Sequence, residues 1–204
     1  MIYILSHLKT INKPVLWFFY KKIKKKFSLS LFHTQPHSNI YREKDLLYKF
    51  CKIQKLPRDL IRKYVYSQAK REYSGAVYLN SIGIKTPKPV NYAVSLNPFS
   101  KTESLYIMEY LKDAVKTDTV LNDSVLNLIT NDLQKMVDNN IYFKDLRFHN
   151  ILYHPKTNEI FWIDTDIKII KNRKKYIDML KKALKRMTKK HPETYEKLIS
   201  ALKL

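Results

Sequence analysis

Glycine occurs only twice in the 204 residues, as Gly75 and Gly83. Average usage of about 7% would give roughly fourteen. Dinucleotide-binding G-x-G-x-x-G turns and Walker A loops each need several glycines to let backbone approach phosphate, so both are excluded. Any phosphate this chain grips must be held by side chains or by turns built from other residues. The charge sharpens the point: 39 Lys and Arg against 18 Asp and Glu leave a net +21. Such an excess implies a polyanionic neighbour, whether nucleic acid, an anionic membrane surface or a heavily phosphorylated substrate.

A hydrophobic content of 45% fills a core, so the charges decorate one globular domain or one compact two-lobed unit. The single cysteine, Cys51, allows neither an internal disulfide nor a Cys-rich zinc site, and a reducing, cytosolic compartment is expected. The longest apolar run, Val15 to Tyr20, falls far short of the roughly 20 residues of a spanning helix. No spanning or secretory segment is expected. That run is followed by Lys21 to Lys26, a pairing of aromatics and cations that suits either a peripheral membrane anchor or a packed edge with a solvated lysine run.

Alternation predicts a strand over Leu46 to Ile53 carrying Lys49, with Lys49 and Cys51 on one face. Arg58 to Ile82 reads as a helix ended by Gly83, and Pro87 and Pro89 forbid its continuation. Strands follow at Val90 to Leu96 and Ser104 to Tyr110, joined by Asn97 to Ser100. Leu126, Ile129, Leu133 and Met136 stripe a second helix, Asp123 to Asn139. A polar loop, a hairpin of Ile151 to Tyr153 with Glu159 to Ile163, and one basic helix from about Lys174 complete the chain. Strands early and helices late predict an α+β, two-lobed architecture with a minimal C-terminal lobe. The expected divisions are an N-terminal basic and aromatic segment (1–40), an N-lobe (41–111) and a reduced C-lobe (112–204).

The chemically informative stretch runs from Tyr142 to Asp166. Asp145 and Asn150 stand five apart in a loop, and Asp164 follows the apolar Phe161-Trp162-Ile163, fourteen residues after Asn150. Taken singly, Asp and Asn are ordinary loop and cap residues. As an ordered set they supply what phosphoryl transfer from ATP needs: a carboxylate to orient the acceptor hydroxyl, and oxygen ligands for Mg²⁺.

The same residues resemble the catalytic loop H-R-D-x-x-x-x-N of the protein-kinase-like fold, written here as Phe143-Lys144-Asp145-Leu146-Arg147-Phe148-His149-Asn150. Asp164-Thr165-Asp166 resembles the metal-binding D-F-G. Lys70-Arg71-Glu72-Tyr73 and Gly83-Ile84-Lys85-Thr86-Pro87-Lys88-Pro89 are similar to the wording of the bacterial lipopolysaccharide kinases that phosphorylate Kdo or heptose of the inner core. The resemblance covers about Leu46 to Ile170. It implies Asp145 as base or positioning carboxylate, Arg147 as a cation for the transferred phosphate, and Asn150, Asp164 and Asp166 as Mg²⁺ ligands. It further implies Lys49, paired with Glu72, on the α- and β-phosphates of ATP, and a hinge near Glu109 and Tyr110 against adenine. Phe143 replaces the loop histidine, and a covering hairpin near His33 to Asn39 must do without glycine.

The expected function is therefore transfer of the γ-phosphate of ATP to a sugar hydroxyl of a lipid-linked glycan, on a cytoplasmic protein peripheral to the inner membrane. The missing glycines and Phe143 keep open a second reading, a nucleotide-binding module without turnover. A third, basic nucleic-acid binding, leaves the spacing of Asp145, Asn150 and Asp164 unexplained. The basic tail from Lys171 to Lys190 carries Ile177, Leu180, Leu184 and Met187 at helical spacing, so one face packs and the other meets water or phosphates.

Overall fold

The computed structural model describes residues 3–5, 29–53, 66–95 and 102–204. The Val15 to Lys26 segment, the first half of the helix expected from Arg58 and the Asn97 to Ser100 turn lie outside the described residues. Element order is β1 (Tyr3–Leu5), β2 (Ser30–Gln35), β3 (Ser38–Glu43), β4 (Leu46–Lys52), α1 (Gln68–Ser81), β5 (Pro89–Ser95), β6 (Thr102–Glu109), β7 (Val115–Lys116), α2 (Asp123–Asp138), β8 (Ile141–Phe143), β9 (Ile151–His154), β10 (Glu159–Trp162), β11 (Ile167–Ile169), α3 (Arg173–Met187) and α4 (Pro192–Ala201). The mixed α+β class expected from the sequence is the one found.

The chain divides into two compact units. A sheet unit comprises residues 1–77 and 87–112, and a helical unit comprises 78–86 and 113–204. In the sheet unit six strands run in the order β1-β5-β6-β4-β3-β2 with antiparallel neighbours. β4 lies inside this sheet, so both its edges are paired, and side chains cover both its faces: Phe50 packs edge-on to Tyr41, and Cys51 joins Ala69, Tyr92, Tyr106 and Met108 in a small core. The β2–β3 hairpin turns through Pro36-His37 in place of glycines. Its tip is fastened by the Lys52 amide and Lys52 Nζ, which donate to the carbonyls of His37 and Gln35 at 2.9 and 3.1 Å.

α1 starts where the Ser67 hydroxyl accepts the Lys70 amide, and ends at Gly83, whose φ of 75° only glycine adopts without strain. In the helical unit α2 is capped by the Asn122 side chain, which accepts the Val125 amide at 2.9 Å. Its Ile129, Leu133 and Met136 stripe enters a core with Leu79, Ile84, Phe143, Trp162, Tyr176, Leu180 and Leu184.

Two expectations need correction. The loop after α2 is not wholly irregular: Ile141–Phe143 forms β8 and pairs with β11, Phe143 opposite Ile167. Three residues are too short to show strand periodicity, and only the partner strand makes them one. The basic tail is two helices, not one. Thr188, whose hydroxyl donates to the Leu184 carbonyl, closes α3, and Pro192 opens α4 at a position where its missing N–H costs nothing.

Candidate active site

Two sets of the sequence-predicted residues come together, one in each unit. In the sheet unit Lys49 of β4 and Glu72 of α1 form a two-pronged ion pair, Nζ lying 3.0 and 2.9 Å from the carboxylate oxygens. Only 3% of Lys49 and 2% of Glu72 are exposed. Gln68, one turn earlier on α1, donates to the same carboxylate at 2.8 Å and fixes its orientation. The pair acts on its neighbours: burial first, then the Glu72 charge, push the Cys51 thiol and the Tyr106 phenol well above their ordinary pKa values. Both stay neutral beside the ion pair.

Glu109 and Tyr110 follow at the end of β6. The Glu109 amide donates to Lys88 O at 3.0 Å, its carboxylate accepts the Lys88 amide at 3.2 Å, and the Tyr110 amide donates to Asp45 O at 2.8 Å. Both amides are engaged within the unit, so an adenine read here would meet carbonyls or later residues. The Tyr110 ring lies under the Arg42 guanidinium, 3.8 Å away, and edge-on to Phe32.

In the helical unit the loop from Asp145 to Asn150 alternates strictly. Leu146, Phe148 and Asn150 point inward and are buried, leaving Asp145, Arg147 and His149 toward solvent. One Asp145 oxygen meets Arg147 Nε at 2.8 Å; the other accepts from Asn150 Nδ2 at 3.1 Å, and the same amide donates to the Asp145 carbonyl at 2.9 Å. The carboxylate is fixed on both sides, yet its side chain stays 50% exposed.

Backbone ties bring the second acidic segment to this loop. Ile163 N donates to Asn150 O at 2.9 Å, and Lys144 N to Asp166 O at 3.3 Å. These extend the β9–β10 pairing to Asn150 and Ile163 and the β8–β11 pairing to Lys144 and Asp166, the residues that flank Asp145 and Asp164. Asp164 itself holds φ at 54°, left-handed backbone that a non-glycine residue adopts at a cost, and Asp166 N donates back to Asp164 O at 2.7 Å across Thr165. Strain of this kind concentrates where a side chain must be aimed. The Asp166 carboxylate is ion-paired with Lys144.

The sequence reading missed the support beneath these residues. Phe143, standing where the resemblance expects histidine, is buried against Trp162 with ring centroids 5.3 Å apart. Trp162 is itself fully buried; its indole N–H donates to Asp132 at 2.9 Å, and Asp132 pairs with Lys135 at 3.1 Å. Phe143 and Trp162 each precede an acidic residue, Asp145 and Asp164, by two positions. The one available signal was a tryptophan in a four-residue strand ending just before Asp164.

Asn150, Asp164 and Asp166 offer only oxygen donors suited to a hard cation. Among the described residues no group of three His, Cys, Asp or Glu side chains gathers into a metal cage. Mg²⁺ at a nucleotide is held by one or two protein carboxylates, with phosphates and water completing the shell, so this donor set fits it.

Comparison with known proteins agrees with this chemistry. No curated protein matches the sequence closely. Among solved structures, the chain is similar to WaaP in complex with acyl carrier protein, at 13% identity over 89% of this chain and 85% of that one, with a TM-score of 0.55. A choline/ethanolamine kinase family protein from Mesorhizobium loti gives 9% identity over 89% and 75%, TM-score 0.55. WbdD with the kinase inhibitor LY294002 gives 13% over 76% of this chain and 37% of that one, TM-score 0.51. Identities this low establish the fold, which is protein-kinase-like. The model of the lipopolysaccharide kinase (Kdo/WaaP) family matches residues 29–201. A match over so much of the chain makes this protein a kinase and a member of the lipopolysaccharide kinase (Kdo/WaaP) family.

Proposed function

We propose that the protein transfers the γ-phosphate of ATP to a sugar hydroxyl of the lipopolysaccharide core, on Kdo or heptose, as a peripheral protein at the cytoplasmic face of the inner membrane. The observation that carries the reading is the Asp145 carboxylate, held by Arg147 on one side and Asn150 on the other yet half open to solvent. A fixed, accessible carboxylate accepts the proton of an incoming hydroxyl and aligns its oxygen with the phosphorus.

Asn150, Asp164 and Asp166 would hold Mg²⁺, which would neutralise charge on the phosphates. Lys49, kept in place by Glu72, steadies the α- and β-phosphates. Arg147 stabilises charge that develops on the phosphoryl group. Family membership supports the glycolipid acceptor. Among the described residues no helix is long and apolar enough to cross a membrane, which is compatible with peripheral attachment.

The test is transfer from labelled ATP, with Mg²⁺, to purified inner-core lipopolysaccharide by wild type and Asp164→Ala side by side. Transfer by wild type that disappears in the variant supports the assignment. Full activity in Asp164→Ala would falsify the metal site. Mg²⁺-dependent ATP binding by wild type with no transfer to any sugar acceptor would favour the non-catalytic reading that Phe143 and the glycine-free hairpin left open.

A further inference from the structure

We propose that the outer face of α3 is a docking surface for an anionic lipid bilayer. At about 100° of rotation per residue, Lys174, Lys175, Lys181, Lys182, Lys185, Arg186 and, just past the helix end, Lys189 fall within one arc of roughly 140°. Tyr176, Leu180, Ala183, Leu184 and Met187 occupy the opposite side and are buried in the core. Asp178 is the one acid on the cationic arc. Among the described residues none of the seven cations is engaged in an ion pair, so their charge is presented outward.

The chemistry of the face selects the partner. Six of the seven cations are lysines, point charges suited to a diffuse anionic layer, whereas bidentate recognition of discrete phosphates favours arginine. The arc holds no aromatic side chain on which a base could stack. The strand leading into the helix adds an apolar contact: Ile169 is 57% exposed between Lys168 and Lys171, an arrangement that lets a side chain enter the headgroup boundary while its neighbours meet phosphates.

Beyond the end of α3 the chain packs on the buried Phe148 of the catalytic loop. After Thr188 the chain exposes Lys189 and Lys190 and then turns the His191 ring edge-on to Phe148, the centroids 6.3 Å apart. Phe148 lies between Arg147 and Asn150. A lipid-linked acceptor for the proposed kinase would lie in the same bilayer. The docking surface rests on charge and exposure alone; only its use for a lipid-linked acceptor rests on the proposed kinase function.

The experiment is sedimentation of the full chain with vesicles, without ATP, so its outcome is independent of phosphotransfer. Vesicles of phosphatidylglycerol and phosphatidylethanolamine are compared with vesicles of phosphatidylcholine. One variant removes four charges from α3 (Lys174→Gln, Lys181→Gln, Lys182→Gln, Lys185→Gln). A control removes four exposed charges elsewhere (Lys88→Gln, Lys112→Gln, Lys116→Gln, Lys203→Gln), and both are checked for an unchanged melting temperature. The α3 variant should lose on the order of a hundredfold in affinity for anionic vesicles and the control less than about threefold. Ile169→Ser should weaken vesicle binding about tenfold while leaving binding to soluble heparin unchanged. Equal losses in the two four-charge variants would overturn the proposal. So would a loss confined to RNA or to an acidic protein, with vesicle binding intact.

Discussion

The two units hold their charged residues in opposite ways. In the sheet unit Lys49 and Glu72 are sealed from water and paired with each other, Gln68 donating to the same carboxylate. In the helical unit Asp145 is half exposed and is held by neighbours of its own loop. The contrast follows from what each must do. Under the proposed function, a cation that steadies phosphates through every cycle would gain from a fixed, dry partner, whereas a carboxylate that receives a proton from an incoming hydroxyl would have to stay reachable. Burial makes the first arrangement costly to break, and local chain geometry makes the second cheap to keep.

Lys49→Met is the most severe way to break that contrast. It leaves Glu72 buried without its cation, and breaking a buried pair costs about 3–5 kcal/mol. Urea unfolding should register a loss of that size and transfer should vanish with it. A variant as stable as wild type would mean that water reaches the pair. Asp145→Asn is expected to reduce transfer by about 10²–10⁴-fold while leaving the unfolding midpoint unchanged, because its partners Arg147 and Asn150 are surface and loop groups. If stability fell instead, the carboxylate would be structural.

Trp162→Phe tests the packed support. It leaves a buried Asp132 oxygen without its indole donor and should destabilise the protein by about 1–3 kcal/mol. Transfer should fall by a smaller factor than in Asp145→Asn, through kcat rather than KM for ATP. An unchanged kcat would separate Trp162 from the aim of Asp164.

The mildest test is alkaline pH. Cys51, Tyr48 and Tyr106 in the sheet unit and Tyr176 in the helical unit all have raised pKa values, burial being the largest cause in each. Tyr48, with Glu43 adding to burial, is pushed up to about 12. Each group keeps its proton longer when folded than when unfolded. The stability it contributes is full below its unfolded value, 9.0 for Cys51 and 10.0 for the tyrosines, and drains away as pH rises through the folded one. Proteinase K at pH 10.5 should therefore cut the sheet unit, where burial also raises Tyr41 and makes four such groups, before the helical unit. First cuts in the helical unit would show that burial in the sheet unit is not limiting.

Much of this was legible in the sequence because it is written in local spacing. The strand of Lys49, the α2 stripe and the five-residue step from Asp145 to Asn150 all depend on residues close in the chain, where periodicity and loop length decide the outcome. The Lys49–Glu72 pair was reached through resemblance to known kinases, since a separation of twenty-three positions carries no geometric instruction of its own. β8 and the Lys144–Asp166 pair left no readable trace, the Phe143–Trp162 stack left only the tryptophan before Asp164, and the break between α3 and α4 left only Pro192. A three-residue strand exists only through its partner, and two aromatics nineteen positions apart meet only after the core has closed.

The sequence by itself determined that glycine-rich phosphate loops are absent, that strands come first and helices later, and that Asp145, Asn150 and Asp164 form an ordered set. Tertiary structure alone decided that Lys49 is buried against Glu72 and that Asp145 is held yet exposed. The physical reason is burial. Which charge loses its water and which keeps it is fixed by neighbours brought from distant parts of the chain, and no spacing along the chain records that.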